Sequence, residues 1–291
     1  MTGKILVPVD FSNHTMVSCR YAIYLAKSTG KDIILFHSFF DQIYFSDGGF
    51  ATGFESGIML TDEIILDFYK KKEIRLNEIA MEMRDTLKSH GSPAISVDCQ
   101  MESGNPEVQI LNAISRTEPD MIVMGSSGMG KKSLLSGSVA RRIMDHTSTP
   151  VFAIPNIENL PEISQVGYMT NFSPADAAVI TNMEALLSPI KIQVHCLHIC
   201  QQGKEMEAKA GMEKLSLKLS NHSKSPSIQF HVKPGPDPNE ILQDFIKENR
   251  ISILAFIPHK RNVFRSFNRQ NLTKDDLFLT NIPILAIPAR S

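Results

Sequence analysis

Pro150-Val151-Phe152-Ala153-Ile154-Pro155 returns near the end of the chain as Pro283-Ile284-Leu285-Ala286-Ile287-Pro288. The echo is not isolated. Asp10-Phe11-Ser12 answers to Asn171-Phe172-Ser173, and Leu35-Phe36-His37 to Cys196-Leu197-His198, while Gly104 with Ile110-Leu111 answers to Gly235 with Ile241-Leu242. A chain written twice in this order must fold as two copies of one unit. It also carries its own control, because whatever only one copy keeps is not needed for the shared fold.

The repeat sets a cut near residue 157, giving halves at 1–157 and 158–291, each long enough to bury a core of its own. The offset between matched positions is 161 at Asp10 and His37 but 131 at Gly104, so the first half carries 30 extra residues between its second and third strands. That excess falls within 39–91 and reads as a helical insertion. A glycine-rich approach leads to a long charged helix, with Ile64, Ile65, Phe68, Ile74, Leu76 and Ile79 as its expected apolar stripe. The plain expectation is a solvated helix covering the sheet; a lid or a contact between copies is the sharper one.

Within each half, short Ile- and Val-rich runs alternate with helical patterns. In the first copy strands are expected at 4–9, 32–38, 95–101, 121–125 and 151–154, and in the second at 166–170, 192–199, 228–232, 251–257 and 284–287. Helices fall between them. Strand–helix alternation of this kind builds a parallel, doubly wound α/β sheet.

Thirty basic against thirty-one acidic side chains leave a net charge of -1, so no global field draws this chain to nucleic acid or to an anionic membrane. No run approaches the ~20 apolar residues of a membrane span, and the first residues enter a strand without a signal-peptide hydrophobic region. A cytoplasmic protein with a small-molecule or protein partner is the expectation. The four cysteines sit inside apolar runs and are too few for a disulfide framework, so they read as core thiols. Cys196, His198 and Cys200 alternate along one strand, but one short element makes a poor metal site, and core packing is the better reading.

The strand Asp120-Met121-Ile122-Val123-Met124 opens into Gly125-Ser126-Ser127-Gly128-Met129-Gly130-Lys131-Lys132-Ser133. Small residues let backbone N–H groups approach an anion closely, and a helix N-terminus just beyond favours negative charge, so phosphate is the natural ligand. As a P-loop the match is incomplete, because Lys132 stands where a Ser or Thr should hold magnesium.

Read instead as Gly125-x2-Gly128 followed by Gly137-Ser138, the loop resembles the nucleotide-binding signature of the universal stress protein family, written G-x2-G-x9-G-[ST]. The opening Val7-Pro8-Val9-Asp10-Phe11-Ser12, the Phe36-His37 strand end and the closing Pro150–Pro155 segment resemble the same family, in its tandem form. Here eight residues rather than nine separate Gly128 from Gly137.

The resemblance implies strand order 3-2-1-4-5 in each half, and halves paired through their last strands as an intramolecular pseudo-dimer, with further pairing into a homodimer left open. It implies an adenine nucleotide, ATP or else AMP or ADP, with magnesium as a companion, in the first half. Pro8, Val9, Asp10, His37, Ser38 and Met124 would border ribose and base; Gly125, Ser126, Ser127, Gly128, Gly130, Lys131, Gly137, Ser138 and Val139 would form the phosphate side. Sensing or signalling is the function implied, with a slow ATPase or a nucleotide-free scaffold as alternatives. No Ser-His-Asp spacing or carboxylate pair points to a catalyst.

The second copy has lost this apparatus. Residues 257–271 contain no glycine, and Asn171 replaces Asp10. Its basic run, Lys260, Arg261, Arg265 and Arg269, reads as a solvated loop.

Overall fold

A computed structural model describes residues 3–12, 14–39, 62–126, 138–159, 161–220, 228–258, 277 and 280–289. The first half runs β1 (Lys4–Pro8), α1 (Thr15–Thr29), β2 (Asp32–Phe39), α2 (Asp62–Ser89), β3 (Val97–Ser103), α3 (Pro106–Thr117), β4 (Met121–Gly125), α4 (Ser138–His146) and β5 (Val151–Ile154). The second repeats the order with β6 (Gln165–Met169), α5 (Asp176–Leu186), β7 (Gln193–Cys200), α6 (Glu205–Ser220), β8 (Ile228–Pro234), α7 (Pro238–Glu248), β9 (Ile253–Phe256) and β10 (Ile284–Ala286). Pairing within each half is parallel, and the strands β5 and β9 are buried along their whole length, as strands covered on both faces must be.

The strands form one sheet in the order β3-β2-β1-β4-β5-β10-β9-β6-β7-β8, which is 3-2-1-4-5 followed by its mirror. The halves join where the sequence repeats most closely. β5 and β10 pair antiparallel with Ala153 opposite Ile284, Phe152 opposite Leu285 and Val151 opposite Ala286. Phe152 and Leu285 are the matched residues of the two copies, so a pseudo-two-fold axis passes between them. A contact in which each element meets its own equivalent must be self-complementary. That requirement accounts for the near identity of the two segments, and the flanking prolines, having no N–H to donate, close the short ladder at each end.

Helices cover both faces. One core layer joins α1, α2, α5 and α6 to the sheet and the other joins α3, α4 and α7, and each layer runs through both halves. A further tie crosses the junction, where the Tyr24 hydroxyl accepts from the Ile163 amide at 3.0 Å, and within the first half the Tyr21 ring backs the junction strand, 6.1 Å from that of Phe152. Capping is duplicated as well. The Asn105 side chain accepts from the amides of Glu107 and Val108 ahead of Pro106, and Asp237 does the same for Asn239 and Glu240 ahead of Pro238. Both devices satisfy orphan N–H groups of a helix start whose first residue is a proline.

The structure departs from expectation at α2. This helix has a counterpart in α6, so it is not itself inserted; it is longer, 28 residues against 16, and is preceded by residues 40–61 where α6 is preceded by 201–204. Its buried stripe is Leu76, Ile79, Ala80, Met83 and Leu87, whereas Phe68 and Ile74 face solvent. The ~100° turn per residue explains this, since Ile74 lies two residues, about 200°, from Leu76 and so on the opposite side of the helix. The side chains of Ile64 and Ile65 lie outside the described residues. The spacing of Leu76, Ala80, Met83 and Leu87 matches that of buried Ala208, Met212, Leu215 and Leu219, which sets Lys72 opposite Lys204. The additional turns of α2 therefore precede Lys72.

Candidate functional site

β1 is flanked by β2 on one side and β4 on the other, so strand order reverses between β1 and β4. In an open α/β sheet the crevice beyond the carboxyl ends at such a reversal is where ligands bind. Three neighbouring strand ends meet there. β1 delivers Pro8, Val9 and Asp10, β2 delivers His37 and Ser38, and β4 delivers Met124, Gly125 and Ser126. Val139 sits half-buried in the first turn of α4. Ser127, Gly128, Gly130, Lys131 and Gly137 lie outside the described residues, as does the side chain of Ser138.

Asp10 shapes the turn that follows β1. Its Oδ1 accepts from the Ser12 amide and from the Thr15 hydroxyl, both at 3.0 Å, while His14 begins α1 without a side-chain cap. The carboxylate expected from the sequence to face a ligand thus also builds the local turn. The turn forces Phe11 to φ 60°, a left-handed conformation uncommon for a side chain of this bulk. What holds it there is His37. The two rings lie 4.0 Å apart, and His37 Nδ1 donates to the Val9 carbonyl at 2.8 Å.

Because a carbonyl can only accept, that bond fixes the neutral tautomer with the proton on Nδ1 and leaves Nε2 as an acceptor. Burial pushes the His37 pKa down, the Val9 bond opposes this, and Lys72 adds to the depression. The ring is 5% exposed, and its Nε2 has no hydrogen-bond partner among the described residues. A buried acceptor left unmade costs free energy that a ligand N–H or O–H would recover. Over this clasp stand the additional turns of α2, with Lys72 Nζ 5.3 Å from the Phe11 ring and Tyr69 edge-on to Phe39.

The second half repeats the clasp residue for residue. Phe172 adopts φ 60°, its ring lies 4.2 Å from His198, and His198 Nδ1 donates to the Thr170 carbonyl at 2.8 Å. This histidine pair belongs to the fold. The acid, by contrast, has moved: Asn171 stands for Asp10, and buried Asp176, at the position matching Thr15, accepts from the hydroxyls of Tyr168 and Thr170. Sequence comparison missed this triad. The signal was available in Val7 and Val9 becoming Tyr168 and Thr170 just where Thr15 becomes Asp176, polar changes that only make sense together.

Cys196, His198 and Cys200 do share the α6 side of β7, but Cys196 is fully buried in the core, where burial pushes its thiol well up. The opposite side carries another pair. His195 Nε2 donates to Gln165 Oε1 at 2.7 Å, so its Nδ1 is the acceptor for the proton of His231 Nε2 at 3.2 Å, and Phe245 closes over both rings. Protonating His195 would set donor against donor. Lys233, bridged to Glu248 at 3.0 Å, adds positive charge beside His231.

Burial lowers the pKa of His37, His195, His198 and His231 alike. The unfolded chain, titrating near the ordinary value of 6.5, then binds more protons than the folded one. Stability is accordingly full above that value and lost as pH falls from it through the folded pKa values. Denaturant midpoints measured from pH 7.5 down to 5.5 should hold to about pH 6.5 and fall below it, less steeply in His231→Gln; a profile flat or rising below 6.5 contradicts the assignment.

The universal stress protein family model matches residues 1–155. Universal stress protein MJ0531 of Methanocaldococcus jannaschii is 24% identical over 154 residues, which is 52% of this chain and 81% of that protein. Among solved structures, a universal stress protein from Archaeoglobus fulgidus superposes with a TM-score of 0.70 at 17% identity, covering 99% of this chain and 96% of that one. The functionally unknown protein PA1789 from Pseudomonas aeruginosa superposes with a TM-score of 0.60 at 11% identity, over 99% and 93%. Identities this low speak for the fold alone, whereas the family model spans more than half of the sequence: the chain belongs to the universal stress protein family.

Proposed function

We propose that the first half binds an adenine nucleotide, ATP in the first place, and that the chain acts as a ligand-dependent sensor rather than as an enzyme. The observation that carries this reading is the meeting of Asp10, the buried Nε2 of His37 and the glycine-loop end of β4 at the reversal of strand order. Asp10 offers a carboxylate to ribose hydroxyls, and His37 Nε2 accepts from a donor on the base or sugar. The sequence of the loop, Gly125 to Gly130 ahead of α4, suits phosphate, with the helix N-terminus adding favourable dipole.

Magnesium keeps several waters and takes one or two carboxylates together with phosphate oxygens. It fits here as a companion of the phosphates, since Asp10 Oδ1 is already committed to Ser12 and Thr15. When bound, the ion would neutralise phosphate charge. The residues of this chain bind and orient: none of the described groups at the site forms an acid–base pair poised for hydrolysis. Thermal unfolding with ATP, ADP and AMP tests the reading. ATP should raise Tm at millimolar concentration, and Gly128→Val, which fills the expected phosphate approach, should abolish the rise. No shift with any of the three would sink it.

A further inference from the structure

In the second half a pocket of about 110 Å³ opens beyond the carboxyl ends of β6 and β7, lined among others by Asn171, Phe172, His198, Cys200, Lys204 and Glu207. It occupies the place that Asp10, Phe11 and His37 occupy in the first half. The two places differ in their cover. α2 starts about three turns before Lys72 and lays Lys72 over Phe11 and Tyr69 against Phe39, whereas α6 starts at Glu205, directly after Lys204. His37 is consequently buried and His198 only half-buried.

The lining states what would enter. His198 spends its Nδ1 proton on the Thr170 carbonyl, so its neutral ring presents Nε2 as an acceptor. Asn171, solvent-exposed at the rim, brings one amide with both donors and an acceptor. Phe172 supplies a flat apolar wall, held close to α6 because residue 211 is glycine; a Cβ there would come within 2.8 Å of the ring. Lys204 and Glu207 are opposite in charge, and the segment that follows β9 has no glycine loop, so nothing in the lining favours an anion.

A cavity of ~150 Å³ holds a whole benzene ring, so the smaller interior here, about 110 Å³, takes one edge of a planar ring, with the rest of the ligand lying in the open mouth. We infer that this pocket binds an uncharged, phosphate-free heteroaromatic ligand, a free base or nucleoside bearing both ring acceptors and an amino donor. The second half thus keeps a ring-recognition site separated from any phosphate site. This stands whether or not the first half holds a nucleotide.

Adenosine is the probe, titrated calorimetrically into the full-length chain carrying both Asp10→Ala and Gly128→Val, so that neither the ribose side nor the phosphate side of the first half is intact. Saturable binding is expected, weakened at least tenfold by Asn171→Leu, with AMP binding no more tightly than adenosine. Because Asn171 is exposed, Asn171→Leu should unfold at the same temperature as its parent, and cross-linking with an azido-adenosine should label peptides of β7 or α6. Absence of binding, affinity within twofold in Asn171→Leu, label elsewhere, or a tenfold gain from the phosphate of AMP each overturns the inference.

Discussion

Replacing Phe152 by Ala should destabilise the whole chain by about 3–5 kcal/mol, a sizeable part of the margin that holds a protein folded. Phe152 is fully buried, sits on the pseudo-two-fold axis opposite Leu285, and packs against Tyr21 of α1. Truncation leaves a cavity in a core layer that both halves share, so the loss should appear in one cooperative transition. Leu285→Ala should cost about 2–5 kcal/mol by the same mechanism. The two substitutions touch across the junction, and their double-mutant cycle should show a coupling of about 0.5 kcal/mol or more. Guanidinium unfolding followed by circular dichroism and by tyrosine fluorescence checks this. Two separate transitions, with only one moved by Phe152→Ala, would show that the halves fold independently despite the shared sheet.

Asp10→Asn should lower ATP affinity about three- to tenfold while leaving stability nearly unchanged. The amide retains an oxygen for the Ser12 amide and the Thr15 hydroxyl, so the turn survives. What it removes is the charge, and a hydrogen bond to an ionised acceptor is worth about 1.5–3 kcal/mol against roughly half that for a neutral one. Asp10→Ala removes both functions, and should lose more affinity, about ten- to a hundredfold, together with about 1 kcal/mol of stability. The pair separates ligand contact from turn formation. If Asp10→Asn binds ATP like the parent chain, Asp10 is a turn residue only, and the site must be sought without it.

Much of this was legible before any coordinates. The duplicated segments gave the two halves, alternation gave the parallel sheet, and the offset of the matched positions gave the extra residues in the first half. Strand ends fell within a residue or two of the structure for most elements, because buried parallel strands are short apolar runs with little to confuse them. The α2 stripe was misread because Ile and Phe were counted by hydrophobicity and not by phase; small, buried Ala80 mattered more than large, exposed Ile74. The Phe–His clasp was invisible for another reason, and the Tyr168–Asp176–Thr170 triad left no trace beyond the three joint changes between the copies. Each depends on a positive φ or on side-chain direction after a turn, which neither periodicity nor composition encodes.

The central claim is asymmetry: one fold written twice, with a nucleotide site kept only in the first copy. Native mass spectrometry of the intact chain equilibrated with ATP and magnesium reads it directly. One nucleotide per chain, lost in Gly128→Val and retained in Asn171→Leu, is the predicted result. Two nucleotides per chain, or none at ATP concentrations up to the millimolar range, would contradict it.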